Sequence, residues 1–466
     1  MISGLTYRKH HYLDLRFTSQ GFECVLQNGG KIILDNWCSQ LLDAADGRTL
    51  EQVIQLNKED PPDVIRAGLM CLAEAGLLER QQYDHSNRTN TTSSPLPVDK
   101  LISVIIVAYN GKNWLEKLLP SIYEQTYKSI EIILVDNSSP TENIESWIKT
   151  EHPSVKFIRL AKTVSFSAAN NLGVAHSNGV YLLFLNQDTY LNRDAVANAL
   201  SVASVHPKIA AVALKLRLWW APAFINGVGN VVRDHSWGED IGFGNLDVGQ
   251  FDDWENIPSA CFAAALVPRS VWDAVGPLDE KYPMYYEDVD WCYRARLLGY
   301  NIIAAPNAIV YHAFGGKLPS PALKLSLQKL QYACYGRLRF AAKLVEYRNL
   351  LRFFLNYLKE DINEFTSAFK NHDYQVCRTY LGAWVSLLRS APEIRGNRRR
   401  IQSHRILSDR EIFFSFSNEM PKTQVNGIPL LARNIISDYY LQLLRKGKTR
   451  SMPEFEFTQR KTTILI

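Results

Sequence analysis

Several apolar runs in this chain stop abruptly at residues able to do chemistry. "LISVIIVAY" ends at Tyr109-Asn110, "IEIILVD" at Asp136, and "VYLLFLN" at Asn186, just before Gln187-Asp188. A run of this kind reads as a buried strand that delivers a polar group to a sheet edge. One such end is compatible with an ordinary helix cap, but three together mark a site. Asp188 is a single carboxylate where many sites of this layout present two; Asn186, two residues earlier, can hydrogen-bond but adds no charge. A later run, "IVYHAFGG", ends in His312, which reads either as a ligand or as a satisfied strand-end histidine. Between them, "YPMYYEDVDWCYRARLLGY" gathers Glu287, Asp288 and Asp290. That spacing predicts a helix from about Glu287 to just before Gly299, with the acids in its first turn, where the helix dipole favours them. Any of the three could serve as a general base, although Asp290 reads best as plain N-terminal helix charge.

The elements that position these groups follow from the pattern around them. From Leu101 on, β-rich apolar runs alternate with helical patterns such as "NWLEKLLPSIYEQ" and "SAANNLGVAHS". Continuous apolar strands separated by helices predict an α/β domain whose mostly parallel sheet carries helices on both faces. Ligands of such sheets bind beyond the carboxyl ends of the strands, where the polar residues lie. Before this domain, "FECVLQNGGKIILD" turns at Asn28-Gly29-Gly30 as a hairpin would, and "NWCSQLLDAAD", "RTLEQVIQLNKED" and "PPDVIRAGLMCLAEAGLLER" have helical spacing. Residues 1–80 thus read as a small winged-helix-like unit, 81–99 as a polar linker, 100–316 as the α/β domain and 317–466 as a helical region.

Composition narrows the class. With 46% hydrophobic and 21% charged residues the chain is globular, and 466 residues are too many for one ordinary core. Seven scattered cysteines form no CxxC pair, so neither a disulfide framework nor a zinc site is expected, and a reducing compartment fits. The N-terminus lacks a signal-peptide layout, and no run of about 18 apolar residues predicts a spanning helix. "GVGNVV" lacks the third glycine of a dinucleotide fingerprint and does not follow the first strand.

Five motifs in unbroken order, "SVIIVAYNGKNWLEKLLPSI", "EIILVDNSS", "SFSAANNLGVAHSNGVYLLFLNQD", "VGPLDEKYPMYYEDVDWCYRARLLGY" and "IVYHAFGG", resemble the family 2 nucleotide-sugar glycosyltransferases of GT-A (Rossmann-like) type. The resemblance is strongest to their rhamnosyltransferase-like branch. It implies an inverting transfer of a sugar from a nucleotide-diphosphate donor to a saccharide, lipid-linked or peptide acceptor. In its terms Tyr109, Asn110, Asp136, Asn171 and Asn186 hold the nucleotide. Asp136 suits the ring N–H of uracil or thymine, which favours UDP or dTDP donors such as dTDP-rhamnose, although guanine also has a ring donor. Asp188 and His312 hold a divalent cation, Mn2+ or Mg2+, with imidazole suiting Mn2+ better. Asp288 is the implied catalytic base, with Glu287 as its alternative. Ala108 stands where the family usually has Thr, and Ser165 where it usually has Gly.

The segment 217–258 corresponds to the family's acceptor region. Its Trp219, Trp220, Trp237 and Trp254 read equally as sugar-stacking faces or as packing of a long loop. Asp279, in "GPLDEKY", reads as shaping the acceptor-side loop or as a structural turn. Past Gly316, "VEYRNLLRFFLNYLKEDI" and the arginines of "RGNRRR" are amphipathic and basic. They fit the inner face of a membrane, with the protein cytoplasmic and peripheral, or equally a helical cover over the sheet.

The first 80 residues resemble PqqD-like peptide-recognition domains, carried by "LLDAADGRTLEQVIQL" and "VIRAGLMCLAEAGLLER". This implies a bound peptide, and the combination is similar to the mycofactocin-type glycosyltransferase architecture. Acids such as Asp43, Asp46 and Glu51 argue against nucleic acid as a partner. The competing reading from another class is a non-catalytic sugar- or peptide-binding adaptor, for which Ala108 and Asn186 speak.

Overall fold

The computed structural model describes residues 36–59, 100–140, 144–206, 208–219, 221–232, 238–243, 256–313 and 326–414. It also describes strands at 5–9, 14–18, 21–25, 31–34, 78–82 and 464–465, and isolated positions at 65, 68–69, 72, 247 and 251–252. In the N-terminal unit, β3 (Gly21–Val25) and β4 (Lys31–Leu34) pair antiparallel, following β1 (Leu5–Lys9) and β2 (Asp14–Thr18). The turn at 28–30, most of 61–77 and the linker from 83 on lie outside the described residues. Helix α1 (Asn36–Ala45), the short β5 (Arg48–Thr49) and α2 (Leu50–Leu56) follow, with β6 (Leu78–Gln82) closing onto β1. Thr49 starts α2 through a reciprocal cap: its hydroxyl accepts from Gln52 N at 3.3 Å, and Gln52 Oε1 accepts from Thr49 N at 2.9 Å.

The larger domain is built on a nine-stranded sheet. Its first half alternates β7 (Ile102–Ala108), α3 (Lys112–Tyr123), β8 (Ile130–Asp136), α4 (Ile144–Glu151), β9 (Lys156–Arg159), α5 (Phe166–Ala175) and β10 (Tyr181–Asn186). Then come β11 (Thr189–Leu191), α6 (Ala195–Val205), β12 (Ile209–Leu218), β13 (Ala221–Gly227), β14 (Asn230–Val232) and β15 (Gly238–Asp240). The last elements are β16 (Ala264–Pro268), α7 (Arg269–Val275), α8 (Glu287–Leu297) and β17 (Asn301–His312).

The sheet order is β11-β17-β12-β16-β10-β7-β8-β9, with β13 paired to β12. Strands β8, β7 and β10 are mutually parallel; β16 is antiparallel to β10 and to β12, and β12 is parallel to β17. Two reversals cancel, so β12 and β17 point the same way as β7. The C-terminal residues Ala108, Asp136, Asn186, Leu218 and His312 therefore emerge at one edge of the sheet. The sheet is mostly parallel, as its unbroken apolar runs predict.

Both faces are covered. Ile102, Val104 and Ile106 pack with buried residues of α3, α4 and α6, while Ile105 and Val107 pack with those of α5, α7 and α8. The second layer includes Trp272 and Trp291, stacked with centroids 5.6 Å apart. Three long helices follow, α9 (Leu327–Leu344), α10 (Tyr347–Lys370) and α11 (Tyr374–Ser403). Their core is shared with the α/β domain: Tyr282, Tyr286, Tyr293 and Val232 pack in one cluster with Leu338, Phe340, Phe353, Tyr357 and Ile412.

Candidate active site

The turn after β10 is locked against the end of β7. Gln187 Oε1 accepts from Tyr109 N at 2.9 Å, and its Nε2 donates to Tyr109 O at 3.3 Å. This clamp explains Gly111, where a Cβ would lie 2.0 Å from Gln187 Oε1. Asn110 takes a positive φ of 48°, and its N–H donates to Ser139 Oγ at 2.9 Å. Tyr109 remains 47% exposed, so its ring is free to stack.

At the end of β8, Asp136 is fully buried. Its Oδ1 accepts from Ser139 N at 3.3 Å and from the Ser139 hydroxyl. Its Oδ2 lies 2.8 Å from the Arg159 guanidinium and takes no hydrogen bond from the described residues. Arg159 is a site residue the sequence did not single out. Ser165 caps α5, its hydroxyl accepting from Ala168 N at 3.2 Å, so serine does the local work at the position where the family usually has glycine. The Asn171 amide is engaged through both its oxygen and its nitrogen. It holds the loop before α8, accepting from Leu278 N at 3.0 Å and donating to Leu278 O and Glu280 Oε1 at 3.0 Å.

Asp188 and His312 are brought together by pairing of β11 with β17, in which Thr189 stands opposite His312. His312 Nε2 lies 3.3 Å from Asp188 Oδ1 and 3.4 Å from Asn186 Nδ2. Behind the ring, His312 Nδ1 lies 2.6 Å from Asn226 Oδ1. A carbonyl oxygen there calls for Nδ1–H, which leaves Nε2 with a lone pair aimed at a carboxylate. Nε2 can then accept from the Asn186 amide while facing a carboxylate oxygen, two acceptors that a cation between them would join. One carboxylate, one imidazole and a second-layer carbonyl that fixes its tautomer make a donor set that fits a divalent cation. Among the described residues no group of three or more His, Cys, Asp or Glu side chains forms a cation site, so further positions would fall to water or a ligand. Asn226 sits in an aperiodic stretch, where only the end of a short strand could have marked it.

The acidic helix starts at Glu287, as its spacing predicts, and ends at Leu297 before Gly299, whose φ is +80°. Tyr285 and Tyr286, just before it, both hold positive φ, 69° and 70°. For aromatic residues that conformation costs about 1–3 kcal/mol each, so the surroundings must over-determine it. The Tyr286 hydroxyl accepts from Gly238 N at 2.9 Å, and its ring packs where a Cβ on Gly336 would come within 2.9 Å. Asp288 Oδ2 accepts from Phe262 N at 3.1 Å, and Oδ1 from Val289 N at 2.7 Å. Glu287 is buried, and its Oε2 has no hydrogen-bond partner among the described residues. Burial raises both carboxyls above the ordinary range, and the charge of Asp288 raises Glu287 further.

Asp240, in a stretch without period that nothing in the sequence marks, lies within electrostatic reach of Asp288 and His312. Burial and then the Asp288 charge push it up to about 6, against His312. Asp290 points the other way: Tyr282 donates to it at 3.0 Å, Arg294 at 2.9 Å and Lys343 at 2.6 Å. Asp279 is held by Arg339 at 2.7 Å and Lys343 at 2.6 Å, which makes it an anchor for α9.

Described residues after β12 pack together despite their aperiodic sequence. Ile225, Val228, Val231, Ile241 and Phe251 form their own small core. Buried Lys215 and Arg217 on β12 grip Asp247, at 3.1 Å and 2.6 Å. Despite burial, those two cations bring Asp247 down to about 2. Trp219 packs edge-on to Trp114 and Tyr190, with centroids 5.9 and 5.6 Å away. Trp220, Trp237 and Trp254 lie outside the described residues.

Comparison with known proteins shows what the chain is similar to. Residues 103–221 match the family model "Glycosyl transferase family 2". The low-salt glycan biosynthesis hexosyltransferase Agl10 of Haloferax volcanii is 26% identical over 211 residues, 43% of this chain and 63% of that protein. An uncharacterized protein of Sinorhizobium fredii, y4gI, is 30% identical over 232 residues, 47% of this chain and 25% of its own length. The chain thus spans under two thirds of either relative. The mannosyltransferase PcManGT from Pyrobaculum calidifontis, solved with GDP-Man and Mn2+, superposes with a TM-score of 0.40 at 15% identity, covering 76% of this chain and 88% of that one. Residues 103–221 of the α/β domain, which include Asp136 and Asp188, are thus similar to family 2 glycosyltransferases.

Proposed function

We propose that the protein is an inverting glycosyltransferase that moves a sugar from a nucleotide-diphosphate donor to a saccharide, lipid-linked or peptide acceptor. The observation that carries this is the pairing of Asp188 with His312, its tautomer set by Asn226, at the same sheet edge as Asp136. In this reading the base lies against Tyr109, with its ring N–H directed to Asp136. UDP or dTDP donors are favoured, dTDP-rhamnose among them. A divalent cation held by Asp188 and His312 would supply charge neutralisation of the departing diphosphate.

Asp288 takes the proton of the acceptor hydroxyl as that oxygen bonds to C1 of the sugar and the C1–O bond to the diphosphate breaks. Its backbone hydrogen bonds fix the carboxylate, and burial makes it a stronger base than a solvated one. Glu287 modulates it by charge. The aromatic segment after β12 meets the acceptor. The N-terminal unit holds a peptide, and the protein works at the cytoplasmic face of a membrane, where a lipid-linked acceptor would be met.

Calorimetric titration of UDP, dTDP and GDP, with and without Mn2+, tests this reading. Metal-dependent binding that Asp188→Ala removes is the expected result, and the preferred base narrows the donor. No diphosphate binding under any condition would sink the transferase reading in favour of a non-catalytic adaptor.

A further inference from the structure

The C-terminal helices carry a surface that the transfer chemistry does not use. On α10, Tyr347, Leu351, Leu355, Leu358, Ile362 and Phe369 are all exposed, Leu351 to 69%. At about 100° per residue these six fall within about 80° of one another on the helix wheel. The opposite side of α10 already buries Phe353, Tyr357 and Ala368, so the exposed stripe is a second apolar face. Antiparallel α11 repeats the arrangement: Tyr374, Leu381, Val385 and Leu388 are exposed, Leu388 to 71%, within about 60°. The two stripes meet at the turn between the helices, where Phe369 and Tyr374 pack with centroids 5.8 Å apart.

Charge says what covers this face. Arg348, Arg352, Lys359 and Lys370 lie within about 60° of one edge of the α10 stripe. Arg348 also pairs with Glu346 at 2.7 Å. Helix α11 has six arginines and a single acid, Glu393, which is engaged with Arg339 at 2.7 Å. Arg378, Arg389, Arg395 and Arg399 share the exposed side of α11 with its apolar stripe, and Arg398 stacks on Tyr347 at 4.0 Å. A stripe of leucines bordered by cations on one side fits the boundary between acyl chains and anionic headgroups. A second copy of the same basic face would set arginine against arginine. No described helix is long and apolar enough to cross a membrane, so the contact would lie along the surface.

We propose that the exposed face of α10 and α11 docks the protein on an anionic lipid surface. This deepens the functional reading only by bringing a lipid-linked acceptor to the site, and its test involves no nucleotide sugar. The full chain is sedimented with phosphatidylcholine vesicles and with vesicles that also contain phosphatidylglycerol, whose anionic headgroups give a negative surface potential. Two variants accompany it: Leu351→Glu/Leu355→Glu/Leu388→Glu, and Arg395→Glu/Arg399→Glu. All five sites are exposed, and unchanged thermal melting checks the fold.

The expected result is at least tenfold tighter binding to the anionic vesicles, lost in the leucine variant at every salt concentration. The arginine variant should lose the preference for anionic lipid and its salt dependence. Absence of binding to either vesicle overturns the proposal. So does a concentration-dependent dimer in sedimentation velocity that the leucine variant abolishes, which would make this face a contact between copies. Vesicle binding with no diphosphate binding would leave the docking surface standing and remove the transferase reading; the converse would do the reverse.

Discussion

At the level of single residues, the acid pair is where the site is most open to test. Glu287 and Asp288 are neighbours in the first turn of α8 and both are raised by burial, so they release protons as a coupled pair. A base must be ionised to work, so kcat/KM rises with pH through a limb above the ordinary carboxylate range. Glu287→Gln removes the like charge, and the limb should move to lower pH. A limb that stays in place in the pH profile would assign it to another group, with Asp240 as the first alternative. Stability has the opposite sign: a carboxyl whose folded pKa is raised favours the folded state at low pH and loses that contribution as pH rises through the folded value. Asn226 makes a second test. Asn226→Ala frees the His312 ring, and titration with Mn2+ alone should show affinity about 10–100-fold weaker. Asn226→Asp, which keeps the acceptor, should retain most of it; equal binding in all three proteins would mean that Asn226 does not position the imidazole. The strand-end residues were legible because apolar runs announce where strands stop. Asn226, Arg159, Gln187 and Asp240 were not, since each owes its place to a partner more than 20 residues away or to a loop without period.

At the level of elements, the sequence spacing gave the strands and the bounds of α8 closely. It did not show what holds α8 in place. Lysine and arginine in amphipathic helices read as solvated charge, yet Arg339 and Lys343 are buried. Lys343 bridges Asp279 and Asp290 at 2.6 Å each, tying α9 to the turn before α8 and to its first turn. A helix wheel cannot reveal this, because the acids lie more than 50 positions earlier. Lys343→Met removes one partner and leaves the buried Asp290 and the partly buried Asp279 with less compensation, at a cost of about 3–5 kcal/mol. The melting temperature should drop accordingly, and kcat should fall as the Asp288 turn loses its support. Burial works against ionisation of Asp279, but Lys343 and Arg339 hold it below the ordinary range. Its contribution in the wild type is therefore present above about pH 4 and lost as pH falls through its folded value. In the variant that contribution should be smaller, because the folded value lies closer to the unfolded one. The less stable protein should denature at higher pH in acid denaturation curves. Coincident curves would mean that the network adds nothing to stability.

At the level of the whole molecule, the change in sequence texture near residue 316 reads as the edge of the α/β domain, but packing runs across it. Tyr293 of α8 stacks on Phe413 with centroids 5.0 Å apart and meets Phe340 of α9 edge-on at 5.1 Å. A shared aromatic core and a shared buried ion network leave no plane along which α9 can separate without exposing both. Texture cannot report this, because hydrophobic periodicity shows that a helix has an apolar face and not which element covers it. The α/β domain and the helices from α9 on should then unfold as one unit. In native-state hydrogen exchange, the slowest amides of α8 and α9 should share one opening free energy. Phe340→Ala should lower both together by about 3–5 kcal/mol, the usual range for emptying a buried phenylalanine site. If α9 instead opened at lower free energy and the substitution left the amides of β7 and β10 unaffected, the helices would be a separately folding unit. The turn at Glu287–Asp288 would then be supported from the sheet side alone, and the link from Lys343 to kcat would fail with it.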